Sequence, residues 1–149
     1  MVSSQSTPEH VKQDLAATFH GALIRKDWAA LRPIMSQDIT WTLPGSNQIS
    51  GTAKGVDAVI ARAQLIASYG VSFALQHVLV SQENMALALH NEARRGDLLL
   101  DEHLATVCRI EEGKIAAIET YLSDVDGMNK FFADQMTKIT AMMLDIPRP

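Results

Sequence analysis

Two titratable side chains, His90 and Glu92, lie two residues apart in a segment whose alternating apolar residues predict a strand over Met85–Ala93. Side chains two apart on a strand share one face and are about 7 Å apart, so this pair would bracket a substrate. An imidazole titrates near neutral pH and can move protons, and a neighbouring acid favours its charged form. The pair therefore predicts acid/base chemistry, with His90 as the base and Glu92 as its orienting partner.

Glu102 and Asp124 are second candidates for the acid, because a carboxyl group in an apolar cavity tends towards a raised pKa and general-acid behaviour. Each of these candidates also has a structural interpretation. His90 can be a surface or hydrogen-bonded histidine, Glu92 can pair with Arg94 in solvent, and Asp124 can cap the last helix. The residues alone leave both interpretations open.

Cysteine and histidine usage predicts neither a metal nor a cofactor. Cys108 is the only cysteine, which excludes an internal disulfide and a cysteine-based zinc site. It lies in the apolar stretch Ala105–Ile110, where a buried, inert thiol is expected. No spacing of His and acidic residues along the chain is diagnostic of a metal site.

Charge and hydropathy exclude two classes of partner. The formal net charge is −4, with acids and bases interleaved and no basic run of the kind that binds nucleic acid. No apolar run approaches the roughly 20 residues of a membrane span. Met1–His10 lacks the layout of a signal peptide, so a cytoplasmic location is expected.

The elements predict a single α+β domain over residues 1–149, with residues 1–7 loose. Helices are expected from Pro8 to about Lys26, around Trp28, Leu31 and Met35, over Val56–Tyr69, and over roughly 127–144 with Phe131, Met136, Ile139 and Met143 near one face. Strands are expected at Ile39–Leu43, Val71–Val80, Met85–Ala93, Leu98–Ile110 and Ile115–Ser123. Helices gathered on one side of an antiparallel sheet form an α+β domain.

Two hairpin turns decide which side chains meet. Arg94-Arg95-Gly96 and Glu111-Glu112-Gly113 each end in Gly, which favours three-residue loops that pair Ala93 with Asp97 and Ile110 with Lys114. Even-numbered residues then share one face: His90, Glu92, Glu102, Leu104, Thr106, Ile118, Thr120, Leu122 and Asp124. A two-residue first loop would instead place Asp101 and His103 on the face of His90, so this second pair is kept in reserve.

Several short motifs occur in a particular order along the chain. Trp41-Thr42-Leu43-Pro44-Gly45 precedes Gly51-Thr52-Ala53-Lys54-Gly55 and the third helix, and Glu112-Gly113-Lys114-Ile115 precedes Tyr121-Leu122-Ser123-Asp124. This order resembles the SnoaL-like branch of the nuclear transport factor two-like superfamily, over about residues 8–135. The resemblance implies a cone in which a curved antiparallel sheet wraps around helices. It also implies one cavity between sheet and helices, and a homodimer built on the outer sheet face.

The resemblance also implies which face is the interior. It selects the even-numbered face, so that a small apolar molecule would contact Trp41, Leu43, Leu104, Thr106, Ile118 and Thr120. In limonene epoxide hydrolase-like members, a basic residue and an acid match His90 and Glu92, but their second acid falls on Thr120 here. The sequence therefore does not favour epoxide hydrolysis.

Two functions remain open at this point. The first is a cofactor-independent acid/base enzyme, an isomerase, dehydratase or cyclase acting on a small hydrophobic carbonyl or polyketide-like substrate. The alternative is a non-catalytic ligand-binding or dimerisation module of the same fold. Because this superfamily hosts many activities, the choice depends on the site rather than on the fold.

Overall fold

The helices cover one face of a single sheet. The computed structural model describes residues 7–133. Within them the helices are α1 (Glu9–Arg25), α2 (Trp28–Leu31), a short 3-10 turn (Arg32–Ile34), α3 (Val56–Ser68) and α4 (Val125–Phe131). Helix α1 packs on the strands at one side of the sheet and α3 on those at the other, while α4 contacts the middle. The predicted α+β architecture is confirmed.

The sheet has six strands in the described residues. They are β1 (Met35–Leu43), β2 (Gly51–Lys54), β3 (Ser72–Val80), β4 (Asn84–Arg95), β5 (Leu98–Glu111) and β6 (Lys114–Leu122), in the spatial order β2-β1-β6-β5-β4-β3. All neighbours are antiparallel except β1 and β6, which run parallel. The sheet is therefore mixed, whereas a purely antiparallel sheet was predicted. The short β2 lies where no strand was predicted.

The buried stripe of α1 follows the helical period that the sequence shows. Leu15, Phe19 and Leu23 are each at most 6% exposed and join the main core. Lys12 lies on the same side of the helix, and its Nζ donates to the carbonyl oxygens of Ser81 and Gln82 at 2.6 Å each. These two bonds satisfy a buried ammonium group and tie α1 to the β3–β4 turn.

The turn between β4 and β5 contains only Gly96 and Asp97, because Arg95 is paired with Leu98. Gly96 has a φ of 60°, and a glycine at the first central position of a two-residue turn is typical of type II′, whose twist suits a hairpin. The predicted three-residue loop is therefore wrong, and Ala93 lies opposite Leu100. Because side chains alternate with a period of two, the change exchanges the faces of β4 relative to β5.

The turn between β5 and β6 also contains two residues, Glu112 and Gly113. Their φ values are 51° and 75°, and a type I′ turn requires positive values at both central positions. Glu111 is paired with Lys114, so the predicted pairing of Ile110 with Lys114 is wrong as well.

A register irregularity between Arg109 and Ile110 compensates for the shorter second turn. Beyond it, even-numbered residues of β5 again lie opposite even-numbered residues of β6, as in the pair Thr106 and Thr120. The predicted common face of these two strands is therefore confirmed, although the predicted turn is not.

The register places the predicted catalytic histidine on the opposite side of the sheet from the core. On β4 the buried residues are the odd-numbered ones, including Leu89 and Asn91, whereas His90 and Glu92 lie on the outer face. The prediction that His90 and Glu92 line the interior is therefore wrong, because it depended on the three-residue turn.

The C-terminal helix begins earlier than predicted. It starts at Val125, with Asp124 as its N-cap, and ends at Phe131. The rest of the predicted helix, with Met136, Ile139 and Met143, lies outside the described residues. None of the helices within residues 7–133 is long and apolar enough to cross a membrane.

Candidate functional site

A cavity lies between the inner sheet face and the helices. Its volume is about 40 Å³, enough for a few water molecules but smaller than the pockets that hold drug-sized ligands. The helices contribute apolar side chains: Phe19, Leu23, Ala63, Ile66, Met128 and Phe132. The sheet and the loop after β1 add Trp41, Leu43, Ile49, Phe73, Leu89, Leu100 and Leu104, and the polar lining residues are Asn91, Thr106 and Thr120. A larger ligand would have to displace side chains.

Most of the predicted substrate-binding residues lie at this cavity. Trp41, Leu43, Leu104, Thr106 and Thr120 line it. Ile118 is 2% exposed and belongs to the core beside it, but is not a lining residue. Whether any of these residues binds a substrate stays a prediction.

A small hydrogen-bond network lies in the cavity wall. The Trp41 indole Nε1 donates to Thr120 Oγ1 at 3.0 Å, and the hydroxyls of Thr106 and Thr120 are 3.2 Å apart. One of the two hydroxyl protons makes the Thr–Thr bond. Either threonine can be the donor in this bond, and neither hydroxyl has a further partner among the described residues. The threonine that does not donate in the bond therefore keeps a free hydroxyl proton. The network therefore offers one donor to a ligand oxygen.

Asn91 is the unexpected polar residue of the interior. Its side chain lines the cavity and is 6% exposed, and within residues 7–133 its buried Oδ1 has no hydrogen-bond partner. Leaving a buried acceptor unpaired costs about 1–3 kcal/mol. A side chain kept at such a cost is a candidate for binding a ligand.

Glu102 lies directly opposite Asn91 on the neighbouring strand. It is 1% exposed and is the only buried carboxyl among the described residues. Its Oε1 accepts from the Asp124 backbone N–H at 3.0 Å and from the Ser123 hydroxyl at 3.4 Å. Loss of solvation raises the pKa of Glu102; the two hydrogen bonds act against that increase, and the charge of Asp124 adds to it.

The polar groups of the cavity form two separate ends. Asn91 lines one end, and Glu102, its partner on β5, lies beside that end on the inner sheet face but does not line the cavity. Thr106 lies four residues further along β5 from Glu102. At 3.3 Å per residue, their Cα atoms are about 13 Å apart. Leu89 and Leu104, which are paired with each other, lie between the two ends. A compound that contacts both ends must therefore be elongated and mainly apolar.

Arg62 of α3 holds Trp41 in the wall. Its guanidinium lies 5.3 Å from the centre of the indole ring and donates to the Trp41 carbonyl at 2.7 Å and to the Ser50 carbonyl at 3.3 Å. Burial lowers the pKa of Arg62. This role could not be predicted, because nothing along the chain shows that α3 crosses β1 at this point.

Helix α4 closes the cavity at the Asn91 end. Its N-cap Asp124 accepts from the Gly127 N–H at 2.9 Å, which is the capping role considered from the sequence, and the side chain of Asp124 is exposed to solvent. Met128 and Phe132 face the cavity. Arg95 donates to the Phe131 carbonyl at 2.8 Å, which ties the end of this helix to β4.

None of the titratable residues within residues 7–133 lines the cavity. His90, Glu92, Asp101 and His103 form a cluster on the outer sheet face, where His90 lies directly opposite His103. Cys108 is fully buried, and burial raises its thiol pKa to about 12, as expected for an inert thiol.

Comparison with known proteins gives a family and a fold. A family model of the SnoaL-like domain matches residues 16–118. An uncharacterised protein of Mycobacterium bovis is 25% identical over 124 residues, which span 80% of this chain and 95% of that protein.

Solved structures agree with the architecture. Bal32a, from a soil-derived mobile gene cassette, has a TM-score of 0.79 at 22% identity, covering 83% of this chain and 97% of its own. A cystatin-like protein of unknown function from Xanthomonas campestris has a TM-score of 0.74 at 25% identity, covering 83% and 98%. A candidate SnoaL-like polyketide cyclase from Jannaschia sp. CCS1 has a TM-score of 0.69 at 14% identity, covering 89% and 99%.

Replacing Asn91 with Leu tests whether its amide is kept for a ligand. We expect Asn91→Leu to raise the free energy of unfolding by about 1–3 kcal/mol, because it removes an unpaired buried acceptor and keeps a similar volume. Urea unfolding of both proteins measures the difference.

Thr106→Val is the matched control. It removes a hydroxyl that is already hydrogen-bonded, so the unfolding free energy should fall by about 1 kcal/mol. A destabilised Asn91→Leu variant would show that the amide is structural and would contradict this interpretation.

Proposed function

The chain belongs to the SnoaL-like domain family, and from this premise we propose that it is an enzyme that moves a proton on a small, mainly apolar carbonyl compound bound in the cavity. The observation that carries the proposal is the unpaired amide oxygen of Asn91 directly opposite the only buried carboxyl of the described chain, Glu102. An isomerase, dehydratase or cyclase reaction would all use such a pair.

The reaction would start with removal of a proton from the carbon next to the carbonyl. Glu102 lies beside the cavity and does not line it, so its carboxylate would turn towards the substrate to take that proton. The electron pair of the C–H bond then moves towards the carbonyl oxygen. The Asn91 amide offers a donor, Nδ2, to the developing oxyanion and an acceptor, Oδ1, to a neighbouring hydroxyl. Protonated Glu102 then returns the proton at a second carbon or to a leaving hydroxyl group. Each of these proton transfers uses groups of this chain, so the mechanism requires no cofactor.

The threonine end would hold the other end of the substrate. The unused hydroxyl proton of Thr106 or Thr120 donates to a distant oxygen, and the Trp41 ring forms an apolar wall for a flat compound. The spacing of about 13 Å between the ends favours a substrate of two or three rings, such as a polyketide-like compound. To hold it, the cavity of about 40 Å³ would have to widen by displacement of side chains. The Jannaschia protein, described as a candidate polyketide cyclase, has the same fold.

The second candidate is a binding module without catalysis. The position of Glu102 favours it, because the carboxyl does not line the cavity. Its hydrogen bonds to Ser123 and Asp124 give it a structural role at the start of α4. In this case the Asn91 amide and the threonine hydroxyls would bind a compound and release it unchanged.

A ligand screen separates the two functions. Flat hydrophobic ketones and phenols are titrated by thermal shift against the wild type, Asn91→Leu and Glu102→Gln, and each bound compound is then followed for conversion by mass spectrometry and NMR. We expect Asn91→Leu to weaken binding about tenfold or more. Glu102→Gln should keep binding and lower the rate of conversion by about 100-fold or more.

Glu83→Gln is the control for the loss of a carboxylate, because Glu83 is exposed in the turn between β3 and β4. It should bind and convert the compound like the wild type. Saturable binding with no conversion of any bound compound would contradict the enzymatic function and support the binding module. Unchanged binding by Asn91→Leu would contradict both functions at this cavity.

We also propose that two copies associate through the outer sheet face. Three of the large exposed hydrophobic residues lie there: Leu79, Leu99 and Tyr121, which are 55–62% exposed. They are paired with Ala86, Arg94 and Ala105 on that face. Between Leu79 and Tyr121 the face carries the small residues Ala86, Ala88 and Ala105, whereas the polar residues of β4 and β5 separate Leu99 from them. An exposed apolar surface of this kind is typical of a contact between copies. A cytoplasmic location also stays a prediction, based on the single buried cysteine.

Substitution of a single exposed residue tests the dimer. The wild type should have twice the 16.3 kDa mass of one chain, measured by light scattering after size exclusion. Tyr121→Arg should raise the dissociation constant about tenfold or more, because it buries a charge in the contact. Ile24→Arg on α1 is the matched control, because Ile24 and Tyr121 are each 55% exposed. This variant should leave the mass unchanged. A monomeric wild type, or equal effects of both variants, would contradict the proposed face.

A further inference from the structure

The outer sheet face carries a block of four metal-ligating side chains that the cavity does not use. His90 lies directly opposite His103, and Glu92 lies directly opposite Asp101, so the four side chains occupy two neighbouring rungs of the β4–β5 pair on one face. The block is created by the two-residue turn at Gly96 and Asp97. No residue spacing along the chain predicts this block, because its members come from two different strands.

The groups of this block converge. The imidazole rings of His90 and His103 are stacked, with centroids 4.2 Å apart and an angle of 8° between the planes. His90 Nε2 lies 2.6 Å from Asp101 Oδ1, and its Nδ1 lies 3.8 Å from Glu92 Oε1. One ligand atom from each of His90, Asp101 and His103 lies within 4.8 Å of the other two. In a tetrahedral zinc site the ligand atoms are about 3.3 Å apart.

The side chains can reach a common ion by rotation. An imidazole binds a metal in the plane of its ring, so the two stacked rings must tilt towards each other, and His103 is exposed on this face. The side chain of Asp101 is 71% exposed and that of Glu92 is 61% exposed, so rotation about their side-chain bonds is not restricted by the core. The His103 imidazole has no hydrogen-bond partner among residues 7–133, which leaves both of its nitrogens free. A neutral imidazole with a free nitrogen is the form that binds metals.

The acidic residues of the block favour a bound cation. Glu92 and Asp101 lie opposite each other and contribute two carboxylates. Arg94 is the next outward-facing residue on β4, but a guanidinium is not a metal ligand.

From this geometry we propose that His90, Asp101 and His103 form a binding site for one divalent transition-metal ion, with Glu92 within reach as a fourth ligand. Two imidazoles and a carboxylate are the donor set that Zn²⁺ takes in sites with an open position. Open positions are available to water or to a group of a second copy on this face. The site is separate from the cavity, so it does not depend on the proposed function.

The test uses the untagged full-length chain after dialysis against a chelator, because an affinity tag of histidines would itself bind metal. Zn²⁺ is titrated by calorimetry, and Co²⁺ by visible absorption, which reports the coordination geometry. We expect one ion per chain and a visible absorption band typical of tetrahedral Co²⁺. Zn²⁺ should also raise the thermal midpoint of the wild type.

Three variants decide between a specific site and surface binding. His103→Ala and Asp101→Asn should each weaken Zn²⁺ binding, His103→Ala by about 100-fold or more, since even an outer-shell partner contributes 10–100-fold. His77→Ala is the matched control, because His77 is an exposed histidine on β3, paired with Ala88, and it should bind like the wild type.

Metal-free thermal midpoints close to that of the wild type would show that the variants fold. Equal Zn²⁺ affinity of the wild type and His103→Ala, or equal losses in His103→Ala and His77→Ala, would overturn the proposed site.

Discussion

The antiparallel pairing of β4 with β5 determines the side of the sheet on which the polar residues of the two longest strands lie. Gly96 takes a φ of 60° at the first position of a two-residue turn, and from there His90 is paired with His103 and Asn91 with Glu102. A change of one residue in the turn would exchange the faces of one strand relative to the other. The composition of the cavity and that of the outer face therefore both depend on this turn.

The same pairing separates two kinds of chemistry. Inside, Asn91 lines an apolar cavity and Glu102 is buried beside it; loss of solvation raises the carboxyl pKa and makes an unpaired amide oxygen costly. Outside, His90, Asp101 and His103 are in contact with solvent, where their imidazole and carboxylate groups are accessible to a cation. The pairing therefore places the buried carboxyl and the imidazoles on opposite faces of the same two strands.

Most of the architecture could be predicted from the sequence, because the helical period of Leu15, Phe19 and Leu23 and the strand alternation are local patterns. The common face of Thr106 and Thr120 was also correct. The prediction failed at Gly96, where a three-residue and a two-residue loop are both compatible with the residues. That single choice moved His90 and Glu92 out of the cavity and hid Asn91, which was assigned to the outer face. The contact of Arg62 with Trp41 depends on helix packing, which no local pattern shows.

The most direct test of this account is the register of the β4–β5 hairpin in solution. Cross-strand nuclear Overhauser contacts between backbone protons, measured by NMR on the isotope-labelled full chain, report which residues are opposite each other. The structure predicts contacts that pair His90 with His103 and Asn91 with Glu102. Contacts that pair Ala93 with Asp97 and His90 with Leu100 would show a three-residue turn. They would place His90 and Glu102 on one face and contradict both the cavity and the outer block described for this chain.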